Sequence, residues 1–316
     1  MNPDGGAGVQ AHQPVLYKEV LAALAPQPGG RYLDGTLGAG GHAWGILEAS
    51  EPDGQLLGLD IDPVAIELAA ERLAAFGGRA HIRQGSYAQM AVHLAALGWD
   101  AVDGILLDLG ASSMQFDRAE RGFSFQQDGP LDMRFDPGAG RSAAELVNEL
   151  PEAELAGLLY EYGEERQSRR IARAILAARP LRTTGELAAV IAKAASRAGK
   201  TSARIHPATR SFHALRIAVN GELDALVQAL PQAVATLKGG GRLAVISFHS
   251  LEDRLVKQYF RQESRDCICP PGQPVCTCGH RASIRELGRK PLQAGEAELQ
   301  ANPRARSARL RVAQKL

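Results

Sequence analysis

The chain has 316 residues, 45% of them hydrophobic, so it is long enough to bury the core of one large domain or two modest ones. Its net charge of +1 conceals two basic segments. Residues 164–216 carry 12 Lys and Arg against 3 Asp and Glu, and residues 254–316 carry 13 Lys and Arg against 5 Asp and Glu. Such segments favour a polyanionic partner, and solvated helix faces are the alternative. No apolar stretch is long enough to span a bilayer and the N-terminus lacks the features of a signal peptide, which excludes a membrane-spanning or secreted class, and we expect a soluble, cytoplasmic protein.

The first hundred residues alternate between helical and strand-like patterns. Apolar residues at helical spacing indicate a helix over residues 15–25 that ends at Pro26. Four apolar runs then predict strands, each followed by a helical pattern in the first three cases: "RYLD", "QLLGLDID", "AHIRQ" and "VDGILLDLG". Pro63 marks the start of the helix after the second of them. Continuous apolar strands that alternate with helices are typical of a parallel sheet covered on both faces, so we predict an α/β fold.

This alternation stops after the fourth strand. From about Ser112 to Leu215 the sequence contains helical patterns, such as "EAELAGLLYEYG", and no good strand. The later sequence predicts a helix over residues 217–237, a turn at "KGGG" and a strand at "RLAVISF". The stretch after Arg265 looks irregular until a candidate last strand at "ARLRVA". We therefore predict a sheet domain formed by residues 1–111 and 216–316, into which residues 112–215 are inserted as a mainly helical domain.

The segment "YLDGTLGAGGH" places a cluster of glycines after the first strand. Gly38, Gly40 and Ala43 satisfy the G-x-G-x-x-A form of the dinucleotide fingerprint, so a nicotinamide cofactor is one hypothesis. NAD and S-adenosylmethionine both need such a turn, together with an acid after the second strand for the ribose, and Asp60 meets that need. Asp34 discriminates between them, because its carboxylate would repel a pyrophosphate and attract the cationic end of S-adenosylmethionine. The residues favour the methyl donor.

The fourth strand brings a further acid, Asp108, to the same edge of the sheet. It is followed by a glycine and small hydroxyl residues in "DLGASSMQ". Transfer of a methyl group to an exocyclic amine needs a polar acceptor near the reacting nitrogen, and Asp108 is our candidate for it; a role in capping the next turn is the structural alternative. The same alternative is weaker for Asp60, because Asp62 is itself a cap candidate ahead of Pro63.

Long stretches of the chain resemble the bacterial 16S ribosomal RNA cytosine-N4 methyltransferases. The resemblance covers nearly the whole chain and rests on strings such as "DGTLGAGGH", "LDIDPVAI", "DGILLDLGASSMQFDRAERGFSFQQDGPLDMR", "HPATRSFHALRIAVN" and "GGRLAVISFHSLEDRLVK". It implies a Rossmann-like S-adenosylmethionine-dependent methyltransferase sheet domain with an inserted, mainly helical domain that recognises the RNA. It also implies methylation of the N4 amine of a decoding-centre cytosine, cytosine 1402 of 16S rRNA.

The resemblance implies a set of residues that bind the methyl donor. Asp60 would accept hydrogen bonds from the ribose, Tyr87 would pack beside the adenine, and Asp108 and Gln115 would lie at the methionine end, with Asp108 as the catalytic residue. The glycine loop would contribute Gly40, Gly41 and His42. Without the resemblance, His42 reads equally well as a polar residue on the first turn of a helix.

The chain departs from many amino-methyltransferases after the fourth strand, where "DLGAS" replaces their D/N/S-P-P-Y/F motif. An aromatic residue that stacks on the target base must then come from elsewhere, and the acceptor of the amine proton stays open. Phe116, Phe123 and Phe125 are candidates for the stacking role, with packing of the inserted domain as the alternative. Asp132 and Arg134 are expected over the cleft on the inserted segment, with an internal ion pair as the alternative. Ser247, His249 and Ser250 follow the late strand, where His249 would either hold the target base or a phosphate, or satisfy a buried backbone group.

Basic residues at helical spacing predict the surface that contacts 16S rRNA. Arg166, Arg169, Arg170 and Arg173 fall at i, i+3, i+4 and i+7, which would align them on one helix face. A continuation is expected at Lys200, Arg204, His206 and Arg210, and a second basic stripe in "NPRARSARLR". Phosphate contacts of this kind give affinity without sequence information. The choice of cytosine must therefore come from the pocket and from the shape of the rRNA, which we expect the protein to recognise within an assembled small ribosomal subunit.

All four cysteines lie in "CICPPGQPVCTC", as Cys267, Cys269, Cys276 and Cys278. Disulfides are not expected in a cytoplasmic protein. Two C-x-C pairs could bind zinc, but C-x-x-C is the usual spacing and a single intervening residue is harder to wrap around one ion. We therefore assign no metal ligand from the sequence.

Three other functions compete with the methylation of 16S rRNA. They are a nicotinamide oxidoreductase, a DNA N4-cytosine methyltransferase, and an RNA-binding ribosome assembly factor without turnover. Binding titrations with both cofactors separate the first, and a comparison of rRNA and DNA as methyl acceptors separates the other two. A homodimer is compatible with the sequence, which does not determine the oligomeric state.

Overall fold

The computed structural model describes residues 14–196 and 206–316. Contacts divide the chain into two compact units. The first contains the residues up to 109 together with residues 227–316, and the second contains residues 110–226. Among the described residues no helix combines the length and the apolar composition needed to cross a membrane.

The first unit is built on a seven-stranded sheet in the order β3-β2-β1-β4-β5-β7-β6. Strands β1 to β5 are parallel, whereas β7 runs antiparallel to both β5 and β6. The strands are β1 Arg31–Asp34, β2 Gln55–Asp60, β3 Ala80–Gln84, β4 Val102–Asp108, β5 Leu237–Ser247, β6 Ile284–Glu286 and β7 Arg309–Lys315. The order reverses between β1 and β4, which is the position where ligands bind in open α/β sheets. The predicted Rossmann-like α/β fold is confirmed.

Helices follow the strands of the first unit as the alternating pattern predicts. The core contains the apolar strand residues, including Leu33, Leu57 and Leu106, which have no exposed surface. The helices are α1 Tyr17–Leu24, α2 Gly41–Ala49, α3 Pro63–Leu73, α4 Met90–Ala95, α12 Ser250–Glu263 and α13 Glu296–Ala301. Asp62 caps α3 by accepting a hydrogen bond from the N–H of Val64, and Pro63 occupies the first helical position, as expected from the sequence.

Three predictions about the late part of the chain are wrong in detail. The glycines of "KGGG" lie inside β5 and form a bulge, because Val102 pairs with Leu237 while Gly104 pairs with Arg242. The helix predicted over residues 217–237 is interrupted at Gly221, whose φ of 58° ends one helix before the next begins. The stretch after Arg265, which looks irregular in sequence, contains β6 and α13.

Among the residues described in the second unit, the regular elements are helical. They are α5 Ser113–Asp117, α6 Ala143–Glu149, α7 Glu152–Gly163, α8 Ser168–Ala178, α9 Thr184–Ser196 and α10 Thr209–Asn220, after which α11 Glu222–Thr236 leads back into the first unit. Their buried faces form a separate apolar core that includes Leu155, Leu159, Ile171 and Ile175. Helices α7 and α8 both contribute these residues at i, i+4 spacing, which is why the two can pack side by side.

Candidate functional site

Three acids mark the carboxyl edge of the parallel strands. Asp34 ends β1, Asp60 ends β2 and Asp108 ends β4. In the register of the sheet Asp34 pairs with Gly58 and with Leu106, so Asp60 and Asp108 each lie two residues further along their strands. Because side chains alternate between the faces of a sheet, the three carboxyl groups project to the same face.

The glycine loop between β1 and α2 is held against this edge by backbone hydrogen bonds. The N–H of Gly38 donates to Oδ2 of Asp60 at 2.8 Å, and Gly38 adopts a φ of 51° with open space where a side chain would begin. Gly40 caps α2 with a φ of 76°. A Cβ on Gly41 would lie only 2.5 Å from Cγ of Pro14, so this glycine permits close packing. The loop therefore presents Gly38, rather than Gly40 or Gly41, to open space.

The carboxyl group of Asp60 is oriented by two backbone donors. Gly38 binds one oxygen, and the N–H of Asp62 donates to Oδ1 at 2.9 Å. Burial raises the pKa of Asp60 to about 6, although both hydrogen bonds act in the opposite direction. Each oxygen keeps a lone pair free for a further donor, as recognition of ribose hydroxyls requires.

Thr36 connects the first and fourth strands, and sequence reasoning missed it. Its N–H donates to Oδ1 of Asp34 at 3.1 Å, and its Oγ1 accepts the N–H of Asp108 at 2.6 Å. The one feature of the sequence that could have indicated this role is that a hydroxyl residue closely follows Asp34 in "DGT". Oδ2 of Asp34 and Oδ1 of Asp108 are buried atoms and have no hydrogen-bond partner among the residues that the structure describes. These two oxygen atoms at the carboxyl edge of the sheet can therefore accept hydrogen bonds from a ligand.

The electrostatics of this edge are unusual for a protein interior. Burial raises the pKa of Asp34 to about 7, and the charge of Asp60 contributes in the same direction. Burial, with the charges of Asp34 and Glu252, raises the pKa of Asp108 well above its ordinary value. Within the described part of the chain, no Lys or Arg forms an ion pair with any of the three acids. A ligand with positive charge would relieve this repulsion.

His42 lies on the first turn of α2 and is buried. Its Nε2 is 3.7 Å from Oδ2 of Asp108, and its ring stacks on Tyr17 with 6.0 Å between the ring centroids. Burial lowers the pKa of His42 to about 4. The imidazole is therefore neutral at physiological pH and does not neutralise the carboxyl group beside it.

Tyr87 also lies against the glycine loop. It begins a 3₁₀ turn after β3 that Ser86 caps through a hydrogen bond from the N–H of Ala88. A Cβ built on Gly35 would lie 2.8 Å from Cβ of Tyr87, so the loop and the turn approach closely. The structure therefore brings together Gly40, Gly41, His42, Asp60, Tyr87 and Asp108 within the first unit.

The remaining predicted donor residue, Gln115, belongs to the second unit. Its Oε1 accepts the N–H of Ser112 at 2.8 Å, and its own N–H donates to Oγ of Ser112 at 3.4 Å. These reciprocal bonds form a capping box at the start of α5. Its side chain is thus ordered by local structure, in a position that sequence reasoning had not linked to capping.

Other candidates of the second unit form internal contacts. Arg134 binds Asp132 through both oxygens, with 2.7 Å between Nη2 and Oδ2, so the internal ion pair is the alternative that the structure shows. Phe123 is buried in the apolar core, and its ring lies 6.3 Å from that of Phe116. Phe125 contacts Phe212 and His206. All three phenylalanines thus take part in packing.

The residues at the end of β5 and the start of α12 likewise form local contacts. His249 caps α12 by accepting a hydrogen bond from the N–H of Glu252, and its Nε2 lies 3.0 Å from Oε1 of the same residue. Ser250 is the first residue of that helix. Ser247 is buried and donates to the carbonyl of Arg309. For His249, the structure shows the second of the two alternatives, a hydrogen bond to the backbone.

The predicted basic surfaces are only partly available to a ligand. On α8, Arg169 and Arg173 are exposed and Arg170 is half-buried, while Arg166 precedes the helix; Arg173 pairs with Glu152 at 3.3 Å. His206 and Arg210 are exposed, and Lys200 and Arg204 lie outside the described residues.

In "NPRARSARLR", two arginines bind the same buried carboxylate, and one of the two turns inward. Arg309 and Arg311 both bind Asp253, and Arg311 is buried. Their register on the strand next to β5 explains this, because it brings them over the first turns of α12. A basic pocket that sequence reasoning missed lies nearby in the first unit and is lined by Arg261, Ser264, Arg265, Glu286 and Arg289.

Comparisons with known proteins identify the family to which the chain belongs. A model of the MraW methylase family matches residues 9–316. The chain is 56% identical over 308 residues to the ribosomal RNA small subunit methyltransferase H of Syntrophotalea carbinolica, covering 96% of this chain and 98% of that protein. It is 51% identical over 320 residues to the protein of the same name from Nitratidesulfovibrio vulgaris, covering 100% and 89%. A solved rRNA methylase from Streptococcus thermophilus is similar with a TM-score of 0.43 and 9% identity, over 95% of this chain and 93% of that one.

Proposed function

Because the chain belongs to the MraW methylase family, we propose that it transfers the methyl group of S-adenosylmethionine to the N4 amine of a decoding-centre cytosine in 16S rRNA. The names of the curated relatives support rRNA of the small subunit as the substrate. The nitrogen and the individual cytosine rest on the resemblance described above. The substrate form that we propose is the rRNA within the small ribosomal subunit, which places the protein in the cytoplasm.

One observation carries the proposal: among the described residues, no Lys or Arg forms an ion pair with the three carboxyl groups beside the open glycine loop. S-adenosylmethionine is cationic at its sulfonium and its α-ammonium, so it supplies the charge that this edge lacks. The unpartnered Oδ2 of Asp34 and Oδ1 of Asp108 are suited to that end of the donor. A pyrophosphate, as in NAD, would meet the same carboxyl groups as repulsive neighbours.

The remaining contacts with the donor follow from the same edge. Asp60, oriented by two backbone donors, would accept the ribose hydroxyls, and Tyr87 would pack beside the adenine. The backbone of Gly40 and Gly41 and the first turn of α2 would border the donor. Gln115 completes the proposed set on the resemblance alone.

When bound, S-adenosylmethionine supplies an electrophilic methyl group on a positively charged sulfur. The chain must orient the amine of cytosine, which is a poor nucleophile because its lone pair is delocalised into the ring. We assign this task to Asp108, whose Oδ1 would accept an N–H of the amine and favour pyramidal nitrogen. Its raised pKa makes Asp108 a stronger base than a solvated carboxylate, and therefore our candidate for holding the amine proton.

His42 and Thr36 support this role. Neutral His42 lies beside Oδ2 without neutralising the charge, and Thr36 accepts the backbone N–H of Asp108, which positions the end of β4. A half-buried carboxylate held in this way needs little reorganisation during the reaction.

RNA binding is supported by exposed arginines in both units. Arg166 and Arg169 are exposed and form no ion pair among the described residues. Arg261, Arg265 and Arg289 line one pocket of the first unit. Such groups would bind phosphates, and a target cytosine that is paired or stacked must be flipped out before it can react.

The test is transfer of a radiolabelled methyl group to small ribosomal subunits, free 16S rRNA and DNA, followed by nucleoside analysis. We expect N4-methylcytidine in rRNA and none in DNA. Label in DNA would favour a DNA methyltransferase, and RNA binding without label would favour an assembly factor. Calorimetric titration with S-adenosylmethionine and with NAD, in parallel, should show binding of the methyl donor only; binding of NAD instead would overturn the proposal.

A further inference from the structure

The loop between α12 and β6 brings the four cysteines of the chain together. Sγ of Cys276 lies 3.6 Å from Sγ of Cys278 and 4.0 Å from Sγ of Cys269, and Sγ of Cys278 lies 3.8 Å from Sγ of Cys267. All four sulfur atoms lie within 4.8 Å of one another. The methyl-transfer site described above uses none of them.

These separations match four thiolates around one tetrahedral ion. With a Zn–S distance of about 2.3 Å, the edges of the tetrahedron measure about 3.8 Å. Disulfides would instead require about 2.05 Å between bonded sulfur atoms, and the four cysteines are free. A two-iron cluster would need its two pairs of thiolates to stand farther apart than one group of mutually close sulfur atoms.

The path of the chain explains how two C-x-C pairs can share one ion. A hydrogen bond from the N–H of Gln273 to the carbonyl of Pro270 begins a turn, and Nε2 of Gln273 donates to Oγ1 of Thr277 at 2.8 Å. The turn places Cys267 and Cys269 opposite Cys276 and Cys278. The sequence argument against zinc was that one intervening residue is hard to wrap around an ion, whereas the turn lets each C-x-C pair supply one edge of the tetrahedron.

Hydrophobic packing does not account for this compact loop. No residue from 264 to 283 is buried, and Ile268 and Val275 expose 41% and 70% of their surfaces. The base of the loop is anchored, since the N–H of Ser283 donates to the carbonyl of Glu263 and His280 contacts the Glu263 side chain. His280 also contacts the carbonyl of Arg265, and the N–H of Ala282 donates to Asp266. Farther from the base the sulfur cluster joins the two arms, and a small unit without a core needs such a cross-link.

A backbone donor also supports the sulfur cluster. The N–H of Ile268, on the first arm, donates to Sγ of Cys278, on the second, at 3.4 Å. Hydrogen bonds of this kind stabilise a thiolate and orient it, as groups around a metal ligand do.

We propose that Cys267, Cys269, Cys276 and Cys278 bind one Zn²⁺ ion in a structural site. Four protein ligands leave no coordination position for water or substrate, so the ion holds the loop and does not take part in methyl transfer. The sequence alone assigned no metal ligand and left zinc binding by these cysteines open.

The test is the metal content of the full chain, purified without chelators and measured by mass spectrometry of the elements. We expect one zinc per chain, released when a mercurial reagent titrates the four thiols. Replacement by Co²⁺ should give the intense visible absorption of a tetrahedral thiolate complex. Iron in place of zinc, or no metal together with four freely reactive thiols, would overturn the proposal.

Two variants distinguish ligation from general damage to the loop. Cys267→Ser and Cys278→Ser should each reduce the zinc content at least tenfold, whereas Val275→Ser, which changes an exposed residue of the same loop, should retain it. Amide hydrogen exchange should accelerate over residues 265–283 in the cysteine variants and stay unchanged in the sheet. If the cysteine variants keep zinc at the level of Val275→Ser, the ion lies elsewhere and the assignment is wrong.

Discussion

The neutral imidazole of His42 approaches the carboxyl group of Asp108 to 3.7 Å between Nε2 and Oδ2. This contact joins the first turn of α2 to the end of β4, across the switch point of the sheet. Burial acts on both groups in the direction of neutrality, since it lowers the pKa of His42 to about 4 and raises that of Asp108. The pair therefore contains no stable internal ion pair, and the charge of Asp108 depends on what binds beside it.

Asp108→Asn should slow methyl transfer by two to three powers of ten, roughly the cost of losing one preorganised polar group in an active site. Asparagine keeps the size of the side chain but cannot hold the amine proton. The measurement is single-turnover transfer to small-subunit RNA. Asp100→Asn, at an exposed position, is the matched control and should leave the rate unchanged. A near-normal rate for Asp108→Asn would move the catalytic role to another group.

Asp60→Ala should weaken the binding of S-adenosylmethionine. Hydrogen bonds to a charged acceptor contribute about 1.5–3 kcal/mol each, so the loss of the ribose contacts predicts at least a tenfold increase in Kd by calorimetry. Because alanine also releases the N–H of Gly38, Asp60→Asn serves as a second variant that keeps an acceptor oxygen. Unchanged donor affinity in both folded variants would refute the ribose assignment.

The affinity for S-adenosylmethionine should increase with pH. The pKa values of Asp34 and Asp60 are raised to about 7 and about 6, and a cationic ligand binds their ionised forms better. Protons therefore compete with the donor below these values, and Kd should decrease from pH 5 to 7.5 and level off above it, by up to about tenfold per pH unit for each group. Asp34→Asn should remove the part of this dependence near pH 7. An affinity independent of pH would contradict the proposed charge pairing.

Asp34→Asn should stabilise the chain without its ligand. The folded pKa of Asp34 is raised from 3.8 to about 7, so this group lowers the free energy of unfolding progressively as pH rises from 4 to 7. The shift corresponds to an upper limit of about 4 kcal/mol, of which we expect about 1–3 kcal/mol to be recovered at pH 8. Urea unfolding at pH 5 and 8 should show a larger gain at pH 8. An equal or smaller gain there would show that Asp34 is ionised at no cost.

Replacement of Arg166, Arg169 and Arg170 with Gln should weaken the binding of RNA. Three lost phosphate contacts would flatten the slope of log K against log salt by up to about 2–3. Gln and Arg have similar helix propensities, so α8 should persist, and donor affinity should not change. The double variant Arg309→Gln, Arg311→Gln is the contrasting variant. Because both arginines bind Asp253, their loss should lower the free energy of unfolding more than it weakens RNA binding. An unchanged slope would identify the basic stripe as a solvated face.

Periodicity sufficed for the elements that carry the site. Apolar strands that alternate with helices predicted β1 to β4 and the helix after each of the first three, because the apolar residues of β1, β2 and β4 are buried, although β3, at the edge of the sheet, is only half-buried. It failed where local conformation depends on partners distant in sequence. The glycines of "KGGG" resemble a turn, but pairing with β4 draws them into β5 as a bulge. The short strand β6 exists only because β7 is beside it.

The sequence by itself determined which acids reach the carboxyl edge, since a residue that ends a parallel strand must lie there whatever surrounds it. It could not determine their charge, because the desolvation of these groups, and the lack of an ion pair from Lys or Arg to Asp34 or Asp108 in the part of the chain that the structure describes, depend on how the helices and loops pack. Nor could it show that Arg311 turns inward to Asp253 or that four sulfur atoms converge in one loop. Spacing along the chain constrains only neighbours in sequence, whereas ion pairs and metal sites depend on distances that tertiary structure alone decides.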